Sequence, residues 1–132
     1  MEFGRLIETA VAARKNAYTP YSGFDVGAAL LAGDGKIYTG CNIENAAYSP
    51  SICGERTAFV KAVSEGVRDF SAIAVAGWYR DGEPGFAYPC GVCRQFMTEF
   101  VEPGKFKVIV VKSLDEYRVH TLEELLPFGF GL

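Results

Sequence analysis

The chain has 132 residues, 49% of them hydrophobic, and a net charge of −3 with both signs mixed along it. That length fits one domain over 1–132 and can bury about two-thirds of its unfolded surface, so folding does not require disulfides. The charge argues against nucleic acid as the main partner, and no run approaches the roughly 20 apolar residues of a membrane span.

Phe3, Leu6, Ile7, Ala10, Val11 and Ala13 recur at helical spacing, predicting an amphipathic helix over about 2–16. Pro20 closes the loop that follows. Phe24 to Ala32 reads as a strand, Gly33-Asp34-Gly35 as a hairpin turn, and Lys36 to Cys41 as the returning strand. The polar stretch 42–51 feeds a helix over 54–65, with Ala58, Phe59, Ala62 and Val63 as its apolar stripe and Gly66 as its stop. Ser71 to Trp78 is almost wholly apolar, as expected of a strand buried on both faces. A Gly- and Pro-containing loop over 80–88 leads to a helix over 91–101, ended by Pro103-Gly104. Phe106 to Val111 reads as a buried strand and Tyr117 to His120 as an edge strand. Thr121 caps a last helical turn through Leu125, and Pro127 ends it. Helix, hairpin, then strands alternating with helices give an α/β fold whose mixed sheet carries helices on both faces.

The first residues lack an apolar signal core, so a cytoplasmic protein is expected. In that compartment cysteines more often bind metal or act in catalysis than form disulfides. Cys90 and Cys93 have the C-x-x-C spacing that grips one ion, and Cys53 can supply a third thiolate. A three-ligand zinc keeps a fourth position open, which separates catalytic from structural sites. Cys53 and Cys90 each precede an expected helix, where the N-terminal dipole favours a thiolate. Glu55 is then placed to carry protons. It lies two residues from Cys53, so the two share no helix face, and Cys53 must stand at the helix edge. Three thiolates leave a divalent zinc with a charge of about −1, which weakens its power to acidify water. The helix ends offset part of this. Arg56 either offsets the rest as a donor to sulfur or is a solvated helix arginine.

Cys53-Gly54-Glu55 with Pro89-Cys90-Gly91-Val92-Cys93 resembles the zinc-dependent cytidine deaminases. Tyr21-Ser22-Gly23-Phe24 through Leu30, Gly40-Cys41-Asn42-Ile43-Glu44-Asn45 through Tyr48, and Leu125-Leu126-Pro127 followed by an aromatic extend the likeness over nearly the whole chain. It is to the short, three-cysteine, homotetrameric kind that acts on free nucleosides. The resemblance implies a three-layer α/β/α sandwich around a roughly five-stranded mixed sheet. It implies one Zn²⁺ per subunit on Cys53, Cys90 and Cys93, and hydrolytic deamination of cytidine and deoxycytidine in pyrimidine salvage. Glu55 would move protons from water to N3 and to the departing amino group. Asn42 and Glu44 would hold the ribose, and Phe24 would pack against the pyrimidine. Gly54, where the family commonly has alanine, would face that ring with its backbone. Tyr48 and a C-terminal aromatic would come from neighbouring subunits of a homotetramer with shared active sites. Phe130 fits the family spacing from the proline better than Phe128.

Other readings remain open at this point. Cys41 could close a four-sulfur structural site, making the chain a zinc-stabilised binding module without catalysis. A related aminopyrimidine nucleoside such as blasticidin S could be the substrate. The only histidine, His120, lies far along the chain and is expected to be structural.

Overall fold

The fold, seen in a computed structural model, is described for residues 3–132, so residue 2 of the expected first helix lies outside it. Helix α1 (Gly4–Ala13) runs on into a 3₁₀ turn over Arg14–Asn16. Strands β1 (Phe24–Ala32) and β2 (Ile37–Cys41) form the hairpin, with Gly35 at φ 93° in its turn. Helix α2 (Gly54–Ser64), strand β3 (Phe70–Tyr79) and helix α3 (Gly91–Thr98) follow. Strands β4 (Lys107–Ser113) and β5 (Glu116–Thr121) and the one-turn helix α4 (Leu122–Leu125) complete the order. Thr121 and Glu124 form a reciprocal capping box at the start of α4.

The sheet order is β2-β1-β3-β4-β5, with β3 and β4 parallel and every other pair antiparallel. The parallel pair requires the crossover that α3 provides. Because side chains alternate along a strand, β3 divides its residues between two layers. Ile73 and Val75 join Ala58, Phe59, Ala62 and Met97 beneath α2 and α3, while Ala72, Ala74 and Ala76 meet Leu6, Ile7 and Ala10 of α1. Phe59 is fully buried and packs against the rings of Phe70, Phe96, Phe100 and Phe106.

Helix α3 ends three residues before the expected position. The Thr98 hydroxyl donates to the Gln95 carbonyl at 2.7 Å, a local bond that competes with further helix. The chain then tightens, with Phe100 N–H donating to Met97 O, and the Phe100 ring meets Phe59. The expectation relied on Pro103 as the stop, whereas the helix yields earlier to the pull of this aromatic core.

Gly40 in β2 decides where α2 sits. A Cβ there would come within 2.3 Å of Gly54 O and 2.4 Å of Ala58 N. The first turn of α2 therefore rests directly on the strand, and only glycine permits that approach.

Candidate active site

Two helix ends meet over the sheet and bring three sulfurs together. Cys53 precedes α2 with φ −76° and ψ 154°, and Cys90 precedes α3 with φ −68° and ψ 166°. Both stand at the helix edge in extended geometry, as Cys53 and Glu55 require if they are to reach one place. Cys53 O receives Thr57 N–H at 3.0 Å and the Thr57 hydroxyl at 3.1 Å. Cys93 lies in the first turn of α3, and its N–H donates to Cys90 Sγ at 3.5 Å. Arg94 fixes the approach from the other side, donating to Pro89 O and to Leu125 O, each at 2.7 Å.

The ligand atoms of Cys53, Cys90 and Cys93 all lie within 4.8 Å of one another, the one such group found among the described residues. Cys53 Sγ and Cys90 Sγ are 3.7 Å apart and both cysteines are free. Two sulfurs held at about 2.3 Å on one tetrahedral zinc stand roughly 3.8 Å apart, so the donor set suits zinc. Cys41 is half-buried and outside the group, and burial raises its thiol. A closed four-sulfur site is not formed.

Charge is shared unevenly across the cluster. A hydrogen bond from Cys93, then bonds from Arg56 and Cys90, draw Cys53 down to about 5 against the opposing effect of burial. Cys93 is pushed up by the same pairing with Cys53 and by burial. Arg56 Nη2 donates to Cys53 Sγ at 3.6 Å, and that bond helps hold the guanidinium charged. Of the two readings open for Arg56, the sulfur donor is the one found. Its Nε is buried without a hydrogen-bond partner.

A cavity of about 150 Å³ opens onto two of these cysteines, Cys53 and Cys90. Phe24, Asn42, Cys53, Gly54, Glu55 and Cys90 line it, so six of the residues singled out in the sequence converge there. Glu55 is 4% exposed, and burial pushes its carboxyl up to about 7, partly opposed by a backbone hydrogen bond and aided by the Cys53 charge. The Asn42 amide is held on both sides, donating to Phe24 O at 2.8 Å and accepting from Val26 N–H at 2.9 Å. A Cβ on Gly54 would stand 3.1 Å from Val26 Cγ1 and 3.4 Å from Cys41 Cα. Two wider grooves, of about 780 and 800 Å³, lie elsewhere without a thiol cluster. Chemistry locates the site better than size.

Residues 3–111 match the family described as the cytidine and deoxycytidylate deaminase zinc-binding region. This chain belongs to that family. It is 51% identical over 131 residues to a cytidine deaminase of Sporosarcina psychrophila, covering 99% of this chain and 93% of that protein. With a cytidine deaminase of Halalkalibacterium halodurans it shares 47% over 130 residues, covering 98% and 95%. The crystal structure of cytidine deaminase from Burkholderia pseudomallei superposes with a TM-score of 0.88 at 45% identity, covering 98% of this chain and all of that one. The three-layer α/β fold is therefore that of the deaminase family, and zinc is the metal of the family's binding region.

The remaining residues singled out for this deaminase-family site lie apart from the cavity. Glu44 lines a separate depression with Tyr21, Ser22, Tyr48 and Ser51. Its carboxylate accepts from the Ser22 hydroxyl and from the N–H groups of Ser22 and Tyr21, which hold its carboxyl below the usual range. Tyr48 is 76% exposed and sits at φ 61°, a left-handed conformation costly for a tyrosine. Phe130 is 69% exposed, while its carbonyl accepts from Gln95 Nε2 at 2.9 Å. Phe128 is also fully exposed, at φ 62°.

Sequence reasoning passed over Val26, Val75, Ala87 and Tyr88, which complete the cavity wall. Tyr88 Oη is 2.9 Å from His120 Nε2. The histidine expected to be structural thus supports a cavity residue 32 positions away. Only the place of Tyr88 beside the Pro-Cys motif could have signalled this.

Proposed function

We propose that this chain is a single deaminase domain over 1–132 that converts cytidine and deoxycytidine to uridine and deoxyuridine plus ammonia, in pyrimidine salvage in the cytoplasm. The observation that carries the reading is a buried carboxyl, Glu55, opening onto the same small cavity as two of three clustered thiols. Its relatives named cytidine deaminases, alike over nearly the full chain, support the choice of nucleoside.

Cys53, Cys90 and Cys93 would hold the zinc, whose Lewis acidity makes water a nucleophile at neutral pH. The other steps belong to this chain's own groups. Glu55 accepts a proton from water and delivers it to N3 of the cytosine ring. As the water oxygen bonds to C4, Glu55 carries the second proton from that oxygen to the amino group, and the C4–N bond breaks to release ammonia. A positioned acid–base group of this kind contributes about 10²–10⁴-fold. Phe24 packs on the ring and Asn42 meets the ribose, held in aim by the β1 backbone. The family likeness supports a further ribose contact from Glu44, which lines a separate depression on the isolated chain, and Gly54 presents backbone to the base. Arg56 draws charge from Cys53 and so limits the thiolate donation that would blunt the metal.

The same reading includes a homotetramer in which Tyr48 and Phe130 complete neighbouring sites. Its support is the family likeness and the exposure of both rings on the isolated chain. Ammonia release from cytidine by the zinc-loaded protein, measured beside Glu55→Ala, tests the activity. Turnover in the parent, with a variant that keeps its zinc and loses at least about 10²-fold, is the expected result. A Glu55→Ala protein that deaminates at the parental rate would end the assignment.

A further inference from the structure

One buried charge has no part in the chemistry above. Asp25 stands in β1 between Phe24 and Val26, both on the cavity wall. Its own side chain points to the opposite face of the sheet and is enclosed, the residue being 7% exposed. Arg80 closes on it with Nε to Oδ2 and Nη2 to Oδ1, each at 3.1 Å. The Thr19 hydroxyl donates to Oδ1 and accepts from Arg80 Nη2 at 2.6 Å, so the three side chains form a closed ring. Arg80 N–H also donates to Gly23 O at 2.8 Å, and Arg14 Nε donates to Asp25 O at 3.0 Å.

The ring of bonds falls where the sheet runs out. Phe24 and Tyr79 are the last register partners of β1 and β3, and their rings meet edge-on with centroids 5.0 Å apart. Asp25 and Arg80 are the residues next to them in sequence. Burying a carboxylate is costly unless it is paired, and an apolar pair of similar volume is often equally stable or better. A charged pair at this spot therefore calls for a role in geometry beyond stability alone.

We propose that Asp25, Arg80 and Thr19 form a clamp that positions Phe24 as the aromatic wall of the cavity. They are positioning residues and do not touch substrate. The clamp rests on the deaminase reading for its effect on cytidine. Its structural action, fixing the Phe24 ring against Tyr79, does not.

Steady-state kinetics on cytidine with the zinc-loaded parent, Asp25→Asn, Arg80→Met, the double variant and Arg80→Lys decide the matter. Each single variant is expected to raise KM about three- to tenfold with kcat within about twofold, because the lost geometry affects binding more than proton transfer. Zinc content should stay at the parental level. The double variant should match the worse single one, as coupled residues do, and Arg80→Lys should recover part of the loss. A second arm is independent of activity: the ring-to-ring nuclear Overhauser contact between Phe24 and Tyr79 should weaken in Arg80→Met. Arg80 is mostly exposed, so that variant is expected to fold. Unchanged KM and an unchanged Phe24–Tyr79 contact overturn the clamp. A parallel fall of kcat and zinc content overturns it too, by making the cluster a general stabiliser. If the parent itself fails on cytidine, the deaminase reading falls and the Phe24–Tyr79 contact still decides the clamp.

Discussion

The helix-end centre and the aromatic rim of this molecule are built on opposite terms. At the centre, Cys93 and Glu55 are buried, while Cys53 and Cys90 are set by helix-edge geometry and partnered by one another, Arg56 and the Cys93 N–H. At the rim, Tyr48, Phe128 and Phe130 are exposed, two of them in left-handed backbone. A large aromatic side chain left in water forgoes roughly 1.5–3 kcal/mol of burial. The contrast separates what one chain completes by itself from what, on the proposed tetramer, it leaves to its neighbours.

Breaking the centre should leave the rim intact. Cys90→Ser is expected to lose zinc on dialysis and cytidine turnover with it, while its sedimentation stays that of the parent. Loss of assembly together with the metal would show that the two regions are not separable. Breaking the rim should do the reverse. Phe130→Ala is expected to keep its zinc and raise KM about tenfold, the effect of losing an aromatic contact worth about 1.4 kcal/mol. Were its KM parental, the C-terminal aromatic would have to be assigned to Phe128 instead.

The clamp beside the centre gives a smaller effect with a defined sign. Burial opposes the Asp25 carboxylate, but Arg80 and Thr19 outweigh it and hold its carboxyl below the ordinary 3.8. A depressed carboxyl contributes stability above its unfolded value and loses it as pH falls through its folded one. Asp25→Asn should therefore be less stable than the parent at pH 7 by about 1 kcal/mol. The gap should close below pH 4 in denaturant titrations, and one that widened there would contradict the pairing. The least change is expected from Gly54→Ala. The added methyl meets Val26 Cγ1 at 3.1 Å, and a shift of a few tenths of an ångström by that side chain accommodates it. Turnover within about twofold of the parent would show that the wall has this slack.

Much of this was legible in the sequence because the signals were local. Gly33-Asp34-Gly35 set the hairpin, the apolar run of β3 marked a central strand, and C-x-x-C with Cys53 marked the thiol cluster. The end of α3 was misplaced because Pro103 is a local signal while the Phe59–Phe100 contact is not. Asn42 and Glu44 share a strand-like spacing, yet Asn42 is tied to β1 and Glu44 to the 21–22 turn, so they line different depressions. The Asp25–Arg80 pair spans 55 positions. No periodicity announces a contact of that separation, and each residue alone reads as an ordinary surface charge.

Arg94 reaches both the carbonyl just before Cys90 and the carbonyl of Leu125, where the C-terminal tail begins. One guanidinium thus joins the anchor of a metal ligand to the segment that carries Phe130. Any free energy that ordering the tail transmits to the thiol cluster must return undiminished when metal binding orders the tail. On the proposed tetramer, the factor by which zinc shifts subunit affinity equals the factor by which assembly shifts zinc affinity, and the unchanged sedimentation expected of Cys90→Ser requires that factor to be small.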